Sequence, residues 1–216
     1  MKKSLKTFIL AILAGFCIGL GGCVYLALFE TCKPLGAVLF TVGLFTICTN
    51  GFNLFTGKAC YIFDNKPSYL LDLVIIWLGN LLGTLLISGL VHLSRLSESF
   101  TKTAFTLVSS KVADTYLSLF VLGIICNVLI FIAVDGFKNN PHEVGKYLAL
   151  IFGVTVFILA GTEHSIADMF YFAVSGQIFK GDSILRLLTI SAGNVVGGLL
   201  LPLGKKLASH LDQESK

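Results

Sequence analysis

Two carboxylates and a histidine stand close together in the run Gly161-Thr162-Glu163-His164-Ser165-Ile166-Ala167-Asp168. Such groups can accept, donate and relay protons, and histidine does so closest to neutral pH. Their surroundings are unusual for them. Tyr147 to Thr162 carries no charged side chain, and neither does Met169 to Phe179. The cluster therefore interrupts what would otherwise be one long apolar segment. An ionisable group at membrane depth costs roughly 2.5–3.5 kcal/mol on insertion scales and marks a pathway or relay more often than a strut. A lone histidine in an apolar stretch is usually a packed structural residue. Here Glu163 beside it, the helix-interrupting composition and a second irregular stretch, Gly51-Phe52-Asn53-Leu54, argue for chemistry.

Composition sets the solvent. Of 216 residues 55% are hydrophobic and only 13% are charged, and the mean hydropathy is +0.87. Soluble domains carry about 25% charged residues, so this chain is built for lipid. The net charge of +4, with no basic run interleaved with aromatics, gives no footing for nucleic-acid binding. Six cysteines (Cys17, Cys23, Cys32, Cys48, Cys60 and Cys126) contain no Cys-x-x-Cys spacing. They read as small apolar packing residues, and no metal site or cofactor is expected. Lys2, Lys3 and Lys6 before an apolar run imitate a secretory signal, and Leu20-Gly21-Gly22-Cys23 imitates a lipoprotein cleavage site. The uncharged stretch from Thr7 to Phe29 is long enough to span a ~30 Å core, so it reads as a retained first span.

Six apolar segments follow in order: Thr7–Phe29, Leu35–Gly57, Leu73–Leu93, Thr115–Val134, the interrupted Tyr147–Phe179, and Leu187–Gly204. A polar stretch of about twenty residues after the third reads as a loop, and Asp135 to Pro141 reads as a turn. Long uncharged runs without period-two alternation mean helices rather than a barrel. The whole chain, 1–216, is one transmembrane domain. The basic residues Lys2, Lys3, Lys6, Lys66, Lys138, Lys146, Lys205 and Lys206 fall on one side, and the positive-inside rule puts both termini in the cytoplasm.

The two halves repeat. Gly79-Asn80-Leu81-Leu82-Gly83-Thr84-Leu85-Leu86 matches Gly193-Asn194-Val195-Val196-Gly197-Gly198-Leu199-Leu200 as Gly-Asn-x-x-Gly-x-Leu-Leu. In the same order, Gly51-Phe52-Asn53-Leu54 falls on Gly161-Thr162-Glu163-His164. Each half, about 7–95 and 115–204, has three spans, and an odd number inverts one half relative to the other. Paired Gly-interrupted segments in inverted repeats point to a transport site near the midplane.

Gly161 through Phe170, together with Asn53-Leu54-Phe55-Thr56-Gly57, Gly79-Asn80, Gly123 through Asn127, and Gly193-Asn194, resembles the formate/nitrite transporter family. The likeness runs in order over nearly the whole chain. It implies an all-α membrane protein of six helices in an aquaporin-like arrangement, with broken second and fifth helices. It further implies a homopentamer in the inner membrane with a pore in each protomer, passing a small monovalent anion, with or without a proton. By position, His164 resembles the central pore histidine, Thr56 its hydroxyl partner, Lys111 the vestibule lysine and Asn127 a polar pore residue. Glu163 lies beside the histidine, and Phe40, Leu44, Leu54 and Phe157 fall at the apolar constrictions. Three residues depart from the pattern: Asn53 where a carboxylate is usual, Asp168 where Asn is common, and Lys58 directly after Thr56-Gly57.

Chemistry narrows the mechanism. A bare ion in an apolar constriction is prohibitively costly unless paired or neutralised. A weak acid crosses more easily as its neutral form, which makes His164 the expected proton relay. An aquaporin-like channel for a neutral solute is the alternative, but none of Pro34, Pro67, Pro141 and Pro202 sits in an Asn-Pro-Ala motif. An enzyme is not expected, because no nucleophile or metal-ligand set accompanies His164. Formate is the first expectation for the anion, with nitrite or hydrosulfide next.

Overall fold

The computed structural model describes residues 2–214, with side chains through residue 211. All its regular structure is helical. The helices are α1 (Lys2–Leu28), α2 (Lys33–Leu39), α3 (Thr41–Asn50), α4 (Phe55–Ala59), α5 (Tyr69–His92), α6 (Ser97–Ala113), α7 (Tyr116–Asn139), α8 (Glu143–Leu159), α9 (Ser165–Val174) and α10 (Ser183–Glu214). Five stretches are long and apolar enough to cross a membrane: α1, α2 with α3, α5, α7 and most of α10. The remaining crossing is assembled from α8 and the shorter α9. Large apolar side chains such as Leu13, Leu71, Leu86, Phe152 and Leu188 remain exposed on the outer surface, as a bilayer solvent or neighbouring protomers permit.

Within each half, the first and third spans pack most closely, α1 along α5 and α7 along α10. Glycine sets that distance. A methyl group at Gly15 would run into Asn80 O, and one at Gly83 into Ile12 O. In the second half, methyl groups at Gly193 and Gly197 would meet Phe120 O and Ile124 O, and one at Gly123 would come within 2.7 Å of Ile190 O. Small residues let backbones approach where no hydrophobic force drives helices together. The two halves also lean on each other. The short α9 packs on α5 and the short α4 packs on α10. Trp77 and Ser191, at matching positions of the repeats, join through Trp77 Nε1–H donating to Ser191 Oγ at 2.9 Å.

The second and fifth spans break in the same way. Gly51 (φ +69°) ends α3 and Gly161 (φ +68°) follows α8, each in the left-handed region. Phe52 N then donates to Ile47 O at 3.0 Å, and Thr162 N to Phe157 O at 3.2 Å. This is a six-residue helix-ending loop that a side chain at the glycine would strain. A few extended residues follow before α4 and α9 begin.

Asn80 and Asn194 satisfy the extended residues. Asn80 Oδ1 accepts Phe55 N–H at 2.8 Å, while its Nδ2 donates to Ala11 O and Asn53 O. Asn194 Oδ1 accepts Ser165 N–H at 3.0 Å, while its Nδ2 donates to Gly123 O and Glu163 O. Asn53 N donates to Leu10 O, and Glu163 N to Leu122 O. The repeat is thus one hydrogen-bonding device built twice.

Three expectations from the sequence change. The stretch after the third span is a helix, α6. Its buried residues Phe100, Ala104 and Val108 recur every four positions, a spacing obscured by the serines and threonines around them. The expected turn from Asp135 belongs mostly to α7, which continues to Asn139; the chain leaves the helix at Asn140, held extended (ψ 128°) before Pro141. The second span jogs at Phe40, whose backbone stays helical between α2 and α3.

Replacing Asn194 with alanine strands Ser165 N–H and the Glu163 carbonyl and removes a second bond at Gly123 O, at roughly 1–3 kcal/mol for each group left buried and unpaired. Thermal melting in detergent should show a large drop for Asn194→Ala and a similar one for Asn80→Ala. A loss confined to one of the two would contradict the equivalence of the repeats.

Candidate functional site

His164 is the N-cap residue of α9, and its side chain acts as the cap. Nδ1 accepts the Ala167 N–H at 3.1 Å. A ring nitrogen that accepts a backbone N–H carries a lone pair, so the imidazole proton sits on Nε2. Nε2 lies 2.9 Å from Thr56 Oγ1, near the start of α4. The first residues of the two half-helices therefore meet at the centre, and both side chains are buried. Phe157 stacks on the imidazole, with centroids 5.4 Å apart and planes 19° apart. Phe40 meets Phe157 edge-on at 6.2 Å.

Two cavities approach this contact from opposite ends. One of about 150 Å³ is lined by Phe40, Phe157, His164, Lys111, Glu163 and Asp168, among others. The other, of about 1120 Å³, is lined by Leu44, Leu54 and Lys58 together with residues at the ends of α3, α4, α7 and α8. The four expected constriction residues divide between them, Phe40 and Phe157 at the smaller and Leu44 and Leu54 at the larger. All four are buried.

Lys111, on α6, reaches into the smaller cavity. Its Nζ contacts Glu163 Oε2 and lies 3.0 Å from Asp168 Oδ1. Glu163 adjoins His164 in the chain, but its carboxylate turns to Lys111. Asp168 is 2% exposed, and its Oδ2 has no hydrogen-bond partner among the described residues. A buried carboxylate oxygen without a donor is costly. In the sequence Asp168 is the second carboxylate of the cluster and a departure from the family pattern; its place against Lys111 depends on α6.

Asn127 lines neither cavity. Its Nδ2 donates to Thr56 O at 3.1 Å and to Asn194 O at 2.6 Å. It ties the two breaks together from behind Thr56.

Arg186 was missed entirely. Its Nη1 donates to Lys111 O at 3.0 Å and Asp114 O at 2.7 Å, closing the C-terminal carbonyls of α6. Nε donates to Asp182 Oδ1 at 3.0 Å, and the guanidinium lies 5.0 Å from the Tyr116 ring centroid. Its bonds from Arg186 and Tyr116 hold the Asp182 carboxyl below its ordinary range. Its contribution is complete above ~3.9, the ordinary Asp value, and is lost only as pH falls through the depressed one. The clamp therefore persists in mildly acidic medium. The available signal was the lone arginine just before the sixth apolar segment.

Removing the guanidinium in Arg186→Gln forfeits the charge-assisted bonds to the Lys111 and Asp114 carbonyls, at about 1.5–3 kcal/mol each. Amide hydrogen exchange should quicken at the end of α6 that carries Lys111 and stay unchanged in α1 and α5. Unchanged exchange at residues 108–115 would remove Arg186 from any positioning role.

Comparison with known proteins shows the family and the fold. A family profile described as Formate/nitrite transporter matches residues 1–205. The Escherichia coli (strain K12) protein named formate channel FocA is 27% identical, over 93% of this chain and 85% of its own length. The Bacillus subtilis (strain 168) protein named uncharacterized transporter YwcJ is 29% identical, over 78% of this chain and 72% of its own. A solved structure described as an FNT family ion channel superposes with a TM-score of 0.82 at 25% identity, over 94% of this chain and 90% of that one. One described as a pentameric formate channel with formate bound shares the fold, with a TM-score of 0.81 at 24% identity over 97% and 98%.

Proposed function

The chain belongs to the formate/nitrite transporter family, and from that premise we propose that each protomer passes a small monovalent anion, formate first, through the route from the Lys111 cavity past His164 and Thr56 to the larger cavity. The protein is a multi-pass membrane protein, read here as a homopentamer of the inner membrane with both termini cytoplasmic. The observation that carries the reading is one buried ammonium shared by two buried carboxylates beside an apolar neck. Relatives named as formate channels support the choice of anion.

Charge counting then favours a proton-coupled route. With both carboxylates ionised, the buried cluster of Lys111, Glu163 and Asp168 sums to minus one, and the balancing Lys33 stands apart at the exposed rim of the cavity. At an effective dielectric of about 20, one uncompensated carboxylate roughly 5 Å away opposes an anion by ~3 kcal/mol, about a hundredfold in occupancy. A single proton on the carboxylate pair removes that barrier and gives the orphaned Asp168 oxygen a role. The pair then protonates the anion. The carboxyl O–H breaks, a new O–H forms on the substrate oxygen, and external water later restores the proton. The neutral acid enters the neck, where a bare ion would meet a Born cost of tens of kcal/mol. It ionises again in the larger cavity.

His164 then has a different role from a relay. With Nδ1 held by Ala167 N–H, its Nε2–H is a fixed donor toward Thr56 or a passing carboxyl group. The groups facing Asp168 are Lys111 and Glu163, with Tyr25 on α1, Tyr171 on α9, Cys126 on α7 and Lys33 at the rim of the cavity.

The test is uptake by proteoliposomes, with protein-free vesicles subtracted. Wild-type formate uptake should rise as external pH falls from about 7.5 to about 5.5. Asp168→Asn should flatten that response to within about twofold, while His164→Asn should slow uptake but keep it. If Asp168→Asn retained the wild-type response, the carboxylate pair would not be the proton source. Glycerol flux without anion flux would make the protein a neutral-solute channel.

A further inference from the structure

The larger cavity carries a charge arrangement that the transport reading leaves unused. Its wall presents three lysines, Lys58, Lys138 and Lys146, and three carboxylates, Asp64, Asp135 and Glu143. Each carboxylate is already engaged. Lys206 Nζ lies 2.5 Å from Asp64 Oδ1, Lys205 Nζ lies 2.8 Å from Asp135 Oδ2, and Lys146 Nζ lies 2.5 Å from Glu143 Oε1. Asn139 Nδ2 takes the other oxygen of Asp135 at 2.7 Å. Two ammonium groups remain. Lys138 Nζ sits 4.8 Å from the Tyr61 ring centroid, and Lys58 has no carboxylate within ion-pair distance among the described residues.

Lys58 is half-buried, two residues beyond Thr56, on the short helix whose start forms the central contact. It stands just past Leu54 on the wide side of the neck. A neutral acid leaving that neck regains its charge where it first meets water. A fixed cation there lowers the energy of the ionised form and holds the anion near the exit. The same cation gathers anions for passage in the opposite direction.

We propose that Lys58, seconded by Lys138, forms an anion-binding site in the larger cavity for a small monovalent anion such as a short carboxylate. The proposal rests on the anion-transport reading for its biological use, but the site itself can be measured without any flux. Cys48 lines the same cavity and is partly exposed. It can report the local potential through the rate at which it reacts with thiol reagents of different charge.

The purified full-length protein is treated with an anionic and with a neutral methanethiosulfonate, and modification at Cys48 is followed by mass spectrometry. In the wild type the anionic reagent should be favoured, and added formate should slow it selectively. In Lys58→Gln the anionic-to-neutral rate ratio should fall about fivefold, in keeping with the loss of one nearby unit charge at moderate ionic strength. Lys58→Arg should restore the ratio, which separates charge from packing. A ratio unchanged within about twofold in Lys58→Gln, or a wild-type ratio indifferent to formate, overturns the site. Loss of formate flux in the wild type, with the Cys48 pattern intact, would instead sink the transport reading.

Discussion

Everything in this protein depends on keeping backbone polar groups bonded where two helices stop inside the apolar interior. A broken helix exposes N–H and C=O groups that water cannot reach, and each left unpaired is expensive. Asn80 and Asn194 resolve both breaks with one carboxamide each, accepting from the first N–H of the half-helix and donating to carbonyls on either side. An aspartate could not donate and a leucine could do neither. The glycines around them bring α1 against α5 and α7 against α10 closely enough for those amides to reach. The breaks then become useful, because they put the starts of α4 and α9 face to face with Thr56 and His164 in contact.

The site built on that scaffold is symmetric in its backbone and asymmetric in its charge. In the first half the extended segment carries Asn53, whose Nδ2 donates to Thr7 O. In the second half the matching position is Glu163, bound to Lys111 together with Asp168. The buried cluster in the narrow cavity therefore holds an excess carboxylate, and the wide cavity an excess of ammonium groups around Lys58. On the reading advanced above, the first is a place to pick up a proton with an anion and the second a place to let them separate. The neck between them, with Phe157 stacked on His164 and Phe40 edge-on to Phe157, has little to offer an ion and much less objection to a neutral acid.

The capping role of His164 also constrains how it can act. An imidazole that gives its Nδ1 lone pair to a backbone N–H is fixed in place and in tautomer. That suits a donor of constant geometry better than a group cycling between protonation states. A proton source one layer out, at the Lys111 cluster, leaves the cap undisturbed through a transport cycle.

The sequence by itself determined the membrane solvent, the apolar spans, the duplication, and the pairing of Gly51-Phe52-Asn53-Leu54 with Gly161-Thr162-Glu163-His164. These follow from composition, run length and spacing, which are local quantities. His164 stands out by residue type in apolar surroundings, whereas Thr56 and Lys111 stand out only through the likeness to the family. Tertiary structure alone decided which of those groups meet. Glu163 adjoins His164 in the chain, yet its side chain turns to Lys111, 52 residues away. Asn127 looked like a pore residue and proved to be a tie behind Thr56, because helix rotation decides which way a polar side chain faces. The partners of Asp168 and Arg186 are set by α6, whose buried positions do not stand out among its many serines and threonines. Charge balance in a cavity is a sum over elements far apart in the chain, and only the folded arrangement shows that Lys58 has no carboxylate within ion-pair distance among the described residues.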